Sequence, residues 1–459
     1  MALSIVILAA GHGKRMQSAL PKVLHTIGGM PMLARVLKTA KALKPDSLIV
    51  VCGYLSQAIQ QAFRHEPLIQ WVEQKTQLGT GHALQMALNY LPQTGYVLVL
   101  YGDVPCVYED TLRQLLTEAE KNDGLALLTD QPENPNGLGR ILRNKAGQII
   151  EIIEENDATS EQKRVQETNT GIMVLPAKYL TPWLSALAPD NTQNEYYLTD
   201  IIKLAVHDQI AISSLLTKPS WQAMGVNTHS QKIALERLFQ KAQAEYLIEQ
   251  GVTIVDPNRF DLRGEIRCDK DVTIDVNCII EGCVVLAKNV YIGAHCVLKD
   301  TVIGEGTLIQ PFSHIDGATI GQQVSVGPYA RLRPGTQLDN SVHVGNFIEI
   351  KNSTLGSCSK ANHLGYLGDA TIGRHVNIGA ATVTCNYDGA NKFKTIIEEG
   401  AFVGSGTMLV APIKIAQNAT IGAGSVITQN APANTLTLAR SHQITLPNWQ
   451  KPKKQDDIK

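Results

Sequence analysis

The first chemistry in the chain lies in Gly11-His12-Gly13-Lys14-Arg15-Met16, where two glycines stand beside two cations. Without Cβ atoms the backbone can approach a ligand closely. Its N–H groups can then cradle phosphate oxygens while the cations balance their charge. No Ser or Thr follows Lys14, so this is not a P-loop, and no third Gly stands where a dinucleotide fingerprint needs one. A nucleoside triphosphate fits such a loop; so does a plain tight turn. Lys22, behind Pro21, is a further cation for phosphate or simply solvated surface. Gly102-Asp103 offers a carboxylate behind a residue that gives access, which suits Mg²⁺, although Pro105 makes a cap or turn the alternative. Gln74 and Gly79-Thr80-Gly81 supply amide and hydroxyl groups with little bulk, as a flat base edge requires. Gly137-Leu138-Gly139-Arg140, Glu154, Asn169-Thr170-Gly171 and Gly225-Val226-Asn227 are further polar or Gly-rich points, each on its own a turn.

These residues need a scaffold. Ser4–Ala10 is a short continuous apolar run, as expected of a parallel strand buried on both faces. Helical spacing over Leu33–Leu43 and Thr80–Leu91 alternates with strand-like Ser47–Cys52 and Tyr96–Tyr101. This predicts a βαβ series: a Rossmann-like α/β domain with a mostly parallel sheet. Ligands on such sheets sit beyond the carboxyl ends of the strands, where Gly11–Arg15 and Gly102-Asp103 both fall.

A different grammar takes over at Val252–Ile427. Aliphatic residues recur at every sixth position in Ile274, Ile280, Leu286, Ile292, Leu298, again in Val326, Leu332, Leu338, Val344, Ile350, and again in Val403, Leu409, Ile415, Ile421, Ile427. A small residue often follows, as in Ile292-Gly293 and Ile421-Gly422. That period fits neither a helix nor a long strand; it fits a parallel β-helix of hexapeptide repeats. The phase slips between Ile315 and Ile320 and between Leu367 and Ile372, and the pattern lapses from Asn386 to Ile396, which predicts a loop leaving the coil. Ser230–Glu249 between the two patterns reads as a connecting helix. The expected domains are therefore 1–229, a linker helix 230–249, and 250–459 ending in a flexible tail, with the chain after Ile427, Asn430–Lys459, loop-like.

At 459 residues two domains are the natural expectation, and 44% hydrophobic with 18% charged residues describes a globular protein with real cores. A net charge of −1 provides no basic field for nucleic acid or an anionic membrane. No apolar run reaches transmembrane length. Met1–Ala10 has the look of a signal-peptide core, but no Lys or Arg precedes it, so a cytoplasmic location is expected. The eight cysteines include no C-x-x-C pair and read as reduced thiols without zinc-site spacing.

Leu8-Ala9-Ala10-Gly11-x-Gly-Lys14-Arg15-Met16, with Pro21-Lys22 behind it, resembles the signature of sugar-1-phosphate nucleotidyltransferases. Joined to hexapeptide repeats containing Asn362-His363-Leu364-Gly365-Tyr366-Leu367-Gly368-Asp369, the chain from about Ser4 to Arg440 resembles one bacterial family. That is the bifunctional N-acetylglucosamine-1-phosphate uridylyltransferase / glucosamine-1-phosphate N-acetyltransferase family. The resemblance implies a left-handed β-helix, Mg²⁺ as cofactor, UTP and acetyl-CoA as co-substrates, and a homotrimer. In the first half it implies Leu8, Ala9, Gly11, Arg15 and Lys22 at the uridine and phosphates, and Gln74, Gly79 and Thr80 at uracil. It implies Tyr101, Gly102 and Asp103 at substrate and metal, Gly139, Glu154, Asn169 and Asn227 at the sugar, and Asp103 with Asn227 as the Mg²⁺ ligands. In the second half it implies Arg333, Lys351, Tyr366 and Asn377 for glucosamine 1-phosphate and His363 as general base. Ala380, Asn386, Tyr387, Ser405, Ala423 and Arg440 would hold acetyl-CoA.

The chemistry asks for these residue types. Two anionic reactants must be brought together, which requires cations and donors, while a phosphate dianion is already a nucleophile. An amine that is protonated at neutral pH must lose a proton before attacking a thioester, and His titrates in that range. The alternatives are a sugar-1-phosphate nucleotidyltransferase with a merely structural or regulatory coil, and a non-enzymatic exchange-factor subunit. The filled positions at His363, Arg333, Lys351, Tyr366 and Asn386 argue against the first, and Gly11–Lys22 with Asp103 against the second.

Overall fold

The computed structural model describes residues 2–452, and its contacts divide the chain into two units at residue 242. The end of the tail expected to be flexible, from residue 453 on, lies outside the described residues.

In the first unit the apolar run forms strand β1 (Leu3–Ala9), buried along its whole length. It is followed by α1 (Met32–Ala42), β2 (Ser47–Cys52), α2 (Ser56–Ala62), β3 (Ile69–Glu73), α3 (Thr80–Ala87), β4 (Tyr96–Tyr101), α4 (Glu109–Lys121) and β5 (Leu125–Asp130). Helix α1 buries Leu33, Val36, Leu37 and Ala40, the stripe that a period of 3.6 residues brings to one face. Strands β6 (Arg140–Arg143) and β7 (Ile149–Ile153) make a hairpin at the edge of β8 (Thr168–Pro176). Helices α5 (Ala177–Ala186) and α6 (Ile201–His207) lead to β9 (Ile212–Leu216). The sheet order is β9-β5-β8-β4-β1-β2-β3, parallel throughout except for β8. The chain passes from β1 to β2 on one side and returns to β4 on the other. The carboxyl ends of β1 and β4 thus flank a topological switch point, with Leu8 in register with Tyr101.

Helix α7 spans His229–Glu249, and the division between units falls inside it. Leu235 and Phe239 pack with Met16, Ile27 and Met32 in the first unit, and Ala244 and Leu247 join the core of the second.

The second unit is a left-handed parallel β-helix. The strand pairs Ile274↔Ile292 and Val326↔Val344 lie eighteen residues apart, and Ile292↔Ile309 and Ile309↔Val326 seventeen. Three hexads thus make one coil, and the phase slips in the sequence mark the seventeen-residue coils. Every aliphatic residue of the three hexad runs is buried in one continuous core. Between Ile378 and its partner Val403 the coil lengthens to twenty-five residues, because the chain leaves it after Cys385 and rejoins at Thr395–Ile397. One expectation needs correcting. The chain after Ile427 is not wholly loop, since Leu436–Thr437 pairs with Thr420–Ile421 and adds a last partial coil.

Candidate functional sites

At the switch point two adjoining cavities share Thr80, Tyr101 and Asp103. The first, of about 260 Å³, is lined among others by Leu8, Ala9, Gly11, Lys22, Gln74 and Gly79. The second, of about 410 Å³, has Arg15, Gly139, Glu154, Asn169 and Asn227 in its wall. Of the first-half residues singled out by resemblance, only Gly102 lines neither. It is buried, its N–H donates to Leu8 O at 2.9 Å, and a Cβ there would press on Ala9 and Val23. Its role is to let β4 run close beside β1.

A charged contact stands where the two cavities meet. The Lys22 ammonium donates to Asp103 Oδ2, and to Asn227 Oδ1 at 3.0 Å, with both ends of the Lys22–Asp103 pair more than four-fifths buried. Two hard oxygen donors thus converge on a cation. Mg²⁺ suits that donor set, because it takes one or two protein oxygens and completes its shell with water and phosphate. Among the described residues no group of three or more His, Cys, Asp or Glu side chains could cage a metal, as tighter-binding ions require. Glu154 is mostly buried and accepts from Thr199 Oγ1 at 3.1 Å; burial above all pushes its carboxyl above the ordinary value. Tyr101 is likewise pushed up, first by burial and then by Glu154 and Asp103, so its hydroxyl stays protonated.

Several lining residues escape a reading of the sequence. Glu195 borders the first cavity and Thr199 the second, although neither lies in a Gly-rich or periodic stretch. They arrive because Tyr196 O accepts from Gly81 N at 2.8 Å and Tyr196 N donates to Leu78 O at 2.8 Å. That crossing also explains Gly79: its φ is 109°, and a Cβ there would sit 2.5 Å from Tyr196 O. The Gly79-Thr80-Gly81 signal therefore reports a close passage of two backbones as well as an open binding edge.

The second unit gathers its candidates at one corner of the coil. Asn346 pairs with His363, Ala381 N donates to His363 O at 3.3 Å, Gly406 N to Ala380 O at 2.7 Å, and Gly424 N to Ser405 O at 2.8 Å. His363, Ala380, Ser405 and Ala423 therefore stack on successive coils, and Arg440 reaches Ala423 O at 3.0 Å. The next residue at this corner has positive φ on each coil, and its type changes along the column. His295, Phe312, Tyr329 and Phe347 form a stacked ridge with centroids 4.9 to 5.3 Å apart, whereas Ala381, Gly406 and Gly424 follow beyond His363. The corner is built up through Leu364, beside His363, and cut down on the coils beyond it.

Arg333, Lys351 and Tyr366 lie on the face that leaves this corner. Arg333 pairs with Glu349 at 2.8 Å, and Glu349 stands in register with Tyr366. Asn377 pairs with Lys360 on the face entering the corner, so the turn separates it from the other three. Asn386 is buried at the start of the excursion and donates to Asp369, while Tyr387 is exposed. Lys392, on the returning limb, was not singled out by the sequence. Its ammonium is held below the usual lysine range, first by the neighbouring Lys351 and then by burial. The only hint in the sequence was that Lys392 falls where the hexads lapse.

Residues 5–177 match the MobA-like NTP transferase domain family, 262–356 the GMPPB C-terminal domain, and 394–429 the bacterial transferase hexapeptide repeats. The chain is 54% identical to the bifunctional protein GlmU of Chromobacterium violaceum over 98% of its own length and 99% of the relative's. It is 50% identical to those of Aromatoleum aromaticum and Ralstonia pickettii, over 98% and 99% of its length and 99% of each of theirs. No helix of the described residues is long and apolar enough to cross a membrane. With a nucleotidyltransferase fold and a hexapeptide coil joined in one full-length match, this chain belongs to the GlmU family of bifunctional enzymes.

Proposed function

We propose that this chain makes UDP-N-acetylglucosamine in two steps, at sites in separate units, as a cytoplasmic supplier of cell-wall precursors. The domain limits we assign are 1–229 for uridylyl transfer, 230–249 for the connecting helix and 250–459 for acetyl transfer. The observation that carries the first site is the Lys22 ammonium held between Asp103 and Asn227 where two cavities join. Asp103 and Asn227 would hold Mg²⁺, which when bound supplies positive charge against the phosphates. Leu8, Ala9, Gly11, Gln74, Gly79 and Thr80 would surround the nucleotide, and Gly139, Glu154 and Asn169 the sugar. Lys22 and Arg15 would draw the sugar phosphate and the triphosphate together. The sugar phosphate oxygen would attack the α-phosphorus in line, and pyrophosphate would leave.

In the coil, His363 would take a proton from the amine of glucosamine 1-phosphate. Its Nδ1 faces Asn346 Oδ1 at 3.4 Å, and a proton held there leaves Nε2 free to accept. The amine would attack the thioester carbonyl and free CoA. Arg333, Lys351 and Lys392 would balance the sugar phosphate, with Tyr366 beside them. Acetyl-CoA would lie along Ala380, Ser405 and Ala423 to Arg440. The separation of Asn377 from Arg333 and Lys351 within one chain supports a homotrimer, in which a neighbouring coil would complete each site.

One assay tests both halves. The protein is incubated with glucosamine 1-phosphate, acetyl-CoA, UTP and Mg²⁺, and free CoA and pyrophosphate are followed with each substrate omitted in turn. CoA should appear without UTP, and pyrophosphate only when acetyl-CoA is present. Pyrophosphate from added N-acetylglucosamine 1-phosphate with no CoA ever freed would make the coil structural and remove the acetyl-transfer assignments.

A further inference from the structure

Gln74 is 2% exposed yet lines the first cavity. Its side-chain amide nitrogen donates twice, to Gly79 O at 3.1 Å and to His82 Nδ1 at 2.9 Å. An amide NH₂ has two hydrogens, so both are used. The carbonyl oxygen on the same carbon takes no hydrogen bond from any described residue, which leaves Gln74 Oε1 as an acceptor in the cavity wall. Which way an amide points is decided by its partners: Gly79 O can only accept, which turns Nε2 to this side and offers its second hydrogen to His82 Nδ1. His82 can accept at Nδ1 only as the neutral ring with its proton on Nε2. Burial lowers its pKa from the ordinary value and so favours the neutral ring; with Gln74 Nε2 turned by Gly79 O to donate, the proton of that ring sits on His82 Nε2. The ring is held in the first turn of α3, 6.3 Å between centroids from Tyr196.

We propose that His82 is a positioning residue for nucleobase selection: by accepting from Gln74 it fixes Gln74 Oε1 towards the base, so that the site favours a ring that donates an N–H. Uracil and thymine carry such a donor, the imide N3–H. Cytosine presents an acceptor at the same position and would meet Oε1 lone pair to lone pair. A turned amide would reverse that preference, and Gly79 O alone holds it less firmly than two acceptors do. A site built around a hydrogen bond discriminates strongly against the analogue that cannot make it. The inference rests on the uridylyl-transfer reading of this cavity.

The test compares kcat/KM for UTP and CTP, by pyrophosphate release with N-acetylglucosamine 1-phosphate, in wild type, His82→Ala and His82→Asn. Asn Oδ1 sits close to where His Nδ1 sits and restores the acceptor. His82→Ala should lower the UTP/CTP ratio by about tenfold or more, mainly through UTP, and His82→Asn should recover most of it. Acetyl transfer by the same preparations reports that each variant is folded. Equal losses for both nucleotides in His82→Ala, or an unchanged ratio, would overturn the proposal and reduce His82 to packing. A wild-type chain that releases no pyrophosphate from UTP would overturn the uridylyl reading and this proposal with it.

Discussion

Asp103→Asn separates the two halves of the chain more sharply than any other single change. The substitution keeps the shape of the side chain and one carbonyl oxygen towards Lys22, so β4 and the loop after it should stay in place. What it removes is a negative charge paired with an ammonium, the two side chains being 18% and 11% exposed. Removing one partner of a fully buried pair costs about 3–5 kcal/mol, and the residual exposure here puts the cost near the lower end, about 3 kcal/mol. In the reaction the same charge would also be lost from the cation-binding oxygens, where one well-placed electrostatic group is worth roughly 10²–10³ in rate. A fall of about 10³ in kcat/KM for uridylyl transfer follows, equivalent to about 4 kcal/mol of transition-state stabilisation. Pyrophosphate release from UTP and N-acetylglucosamine 1-phosphate should be measured beside CoA release from acetyl-CoA and glucosamine 1-phosphate. The first should fall by that factor and the second should not change. Uridylyl transfer within tenfold of wild type, or a parallel loss of CoA release, would refute the reasoning.

Four further outcomes are expected. Gly11 lines the cavity, no atom of the described residues lies within 4 Å of where a Cβ would stand and its φ is not positive, so Gly11→Ala should leave the melting temperature unchanged while weakening uridylyl transfer; a fall in both would make Gly11 structural. His363→Ala should lower acetyl transfer by about 10²–10⁴ and spare pyrophosphate release, and near-normal CoA release would exclude the base role. Burial pushes the Asp130 carboxyl up, and its Oδ1 has no hydrogen-bond partner among the described residues. The folded state therefore binds that proton more tightly than the unfolded chain, and stability is lost as pH rises from about 4 through the folded value. Asp130→Asn should raise the melting temperature by a few degrees at pH 7, with the gain vanishing in acid; a gain that persists at low pH would point to another cause. Cys278, pushed up to about 11, and Cys106 and Cys296, pushed up to about 12, should resist iodoacetamide in the native protein while exposed Cys283 and Cys358 react. Peptide mapping that finds Cys296 labelled as early as Cys283 would contradict the buried coil interior.

What the sequence made legible was what repeats or what is local. Ile274 to Leu298 and Val403 to Ile427 predicted the coil because each inward residue answers to one constraint, a buried position on one side of a triangle. Ser47–Cys52 and Tyr96–Tyr101 were readable to the residue because a strand buried on both faces is a continuous apolar run with polar ends. Glu195, Thr199 and Lys392 were not legible, because long-range contacts bring them in. Tyr196 crosses Gly79–Gly81 from more than a hundred residues away, and no local pattern announces a crossing of that kind. The two glycines carried the signal, but a glycine needed for close backbone passage looks the same in sequence as one needed for a ligand.

The corner column shows why the coil hides its site while displaying its fold. Inward positions must be aliphatic on every coil, so they advertise the architecture and leave little room for chemistry. The residue after His363 at the corner is free of that demand. There the chain sets aromatic rings on the coils up to Phe347, then Leu364, and then Ala381, Gly406 and Gly424. A ridge that runs up to Leu364 beside His363, with small residues on the coils beyond, has the form a long thin acyl donor needs: a wall at the reacting end and open corner behind it. The aperiodic positions of a periodic fold are therefore where its function should be sought, and both the corner at His363 and the excursion that carries Lys392 are such positions.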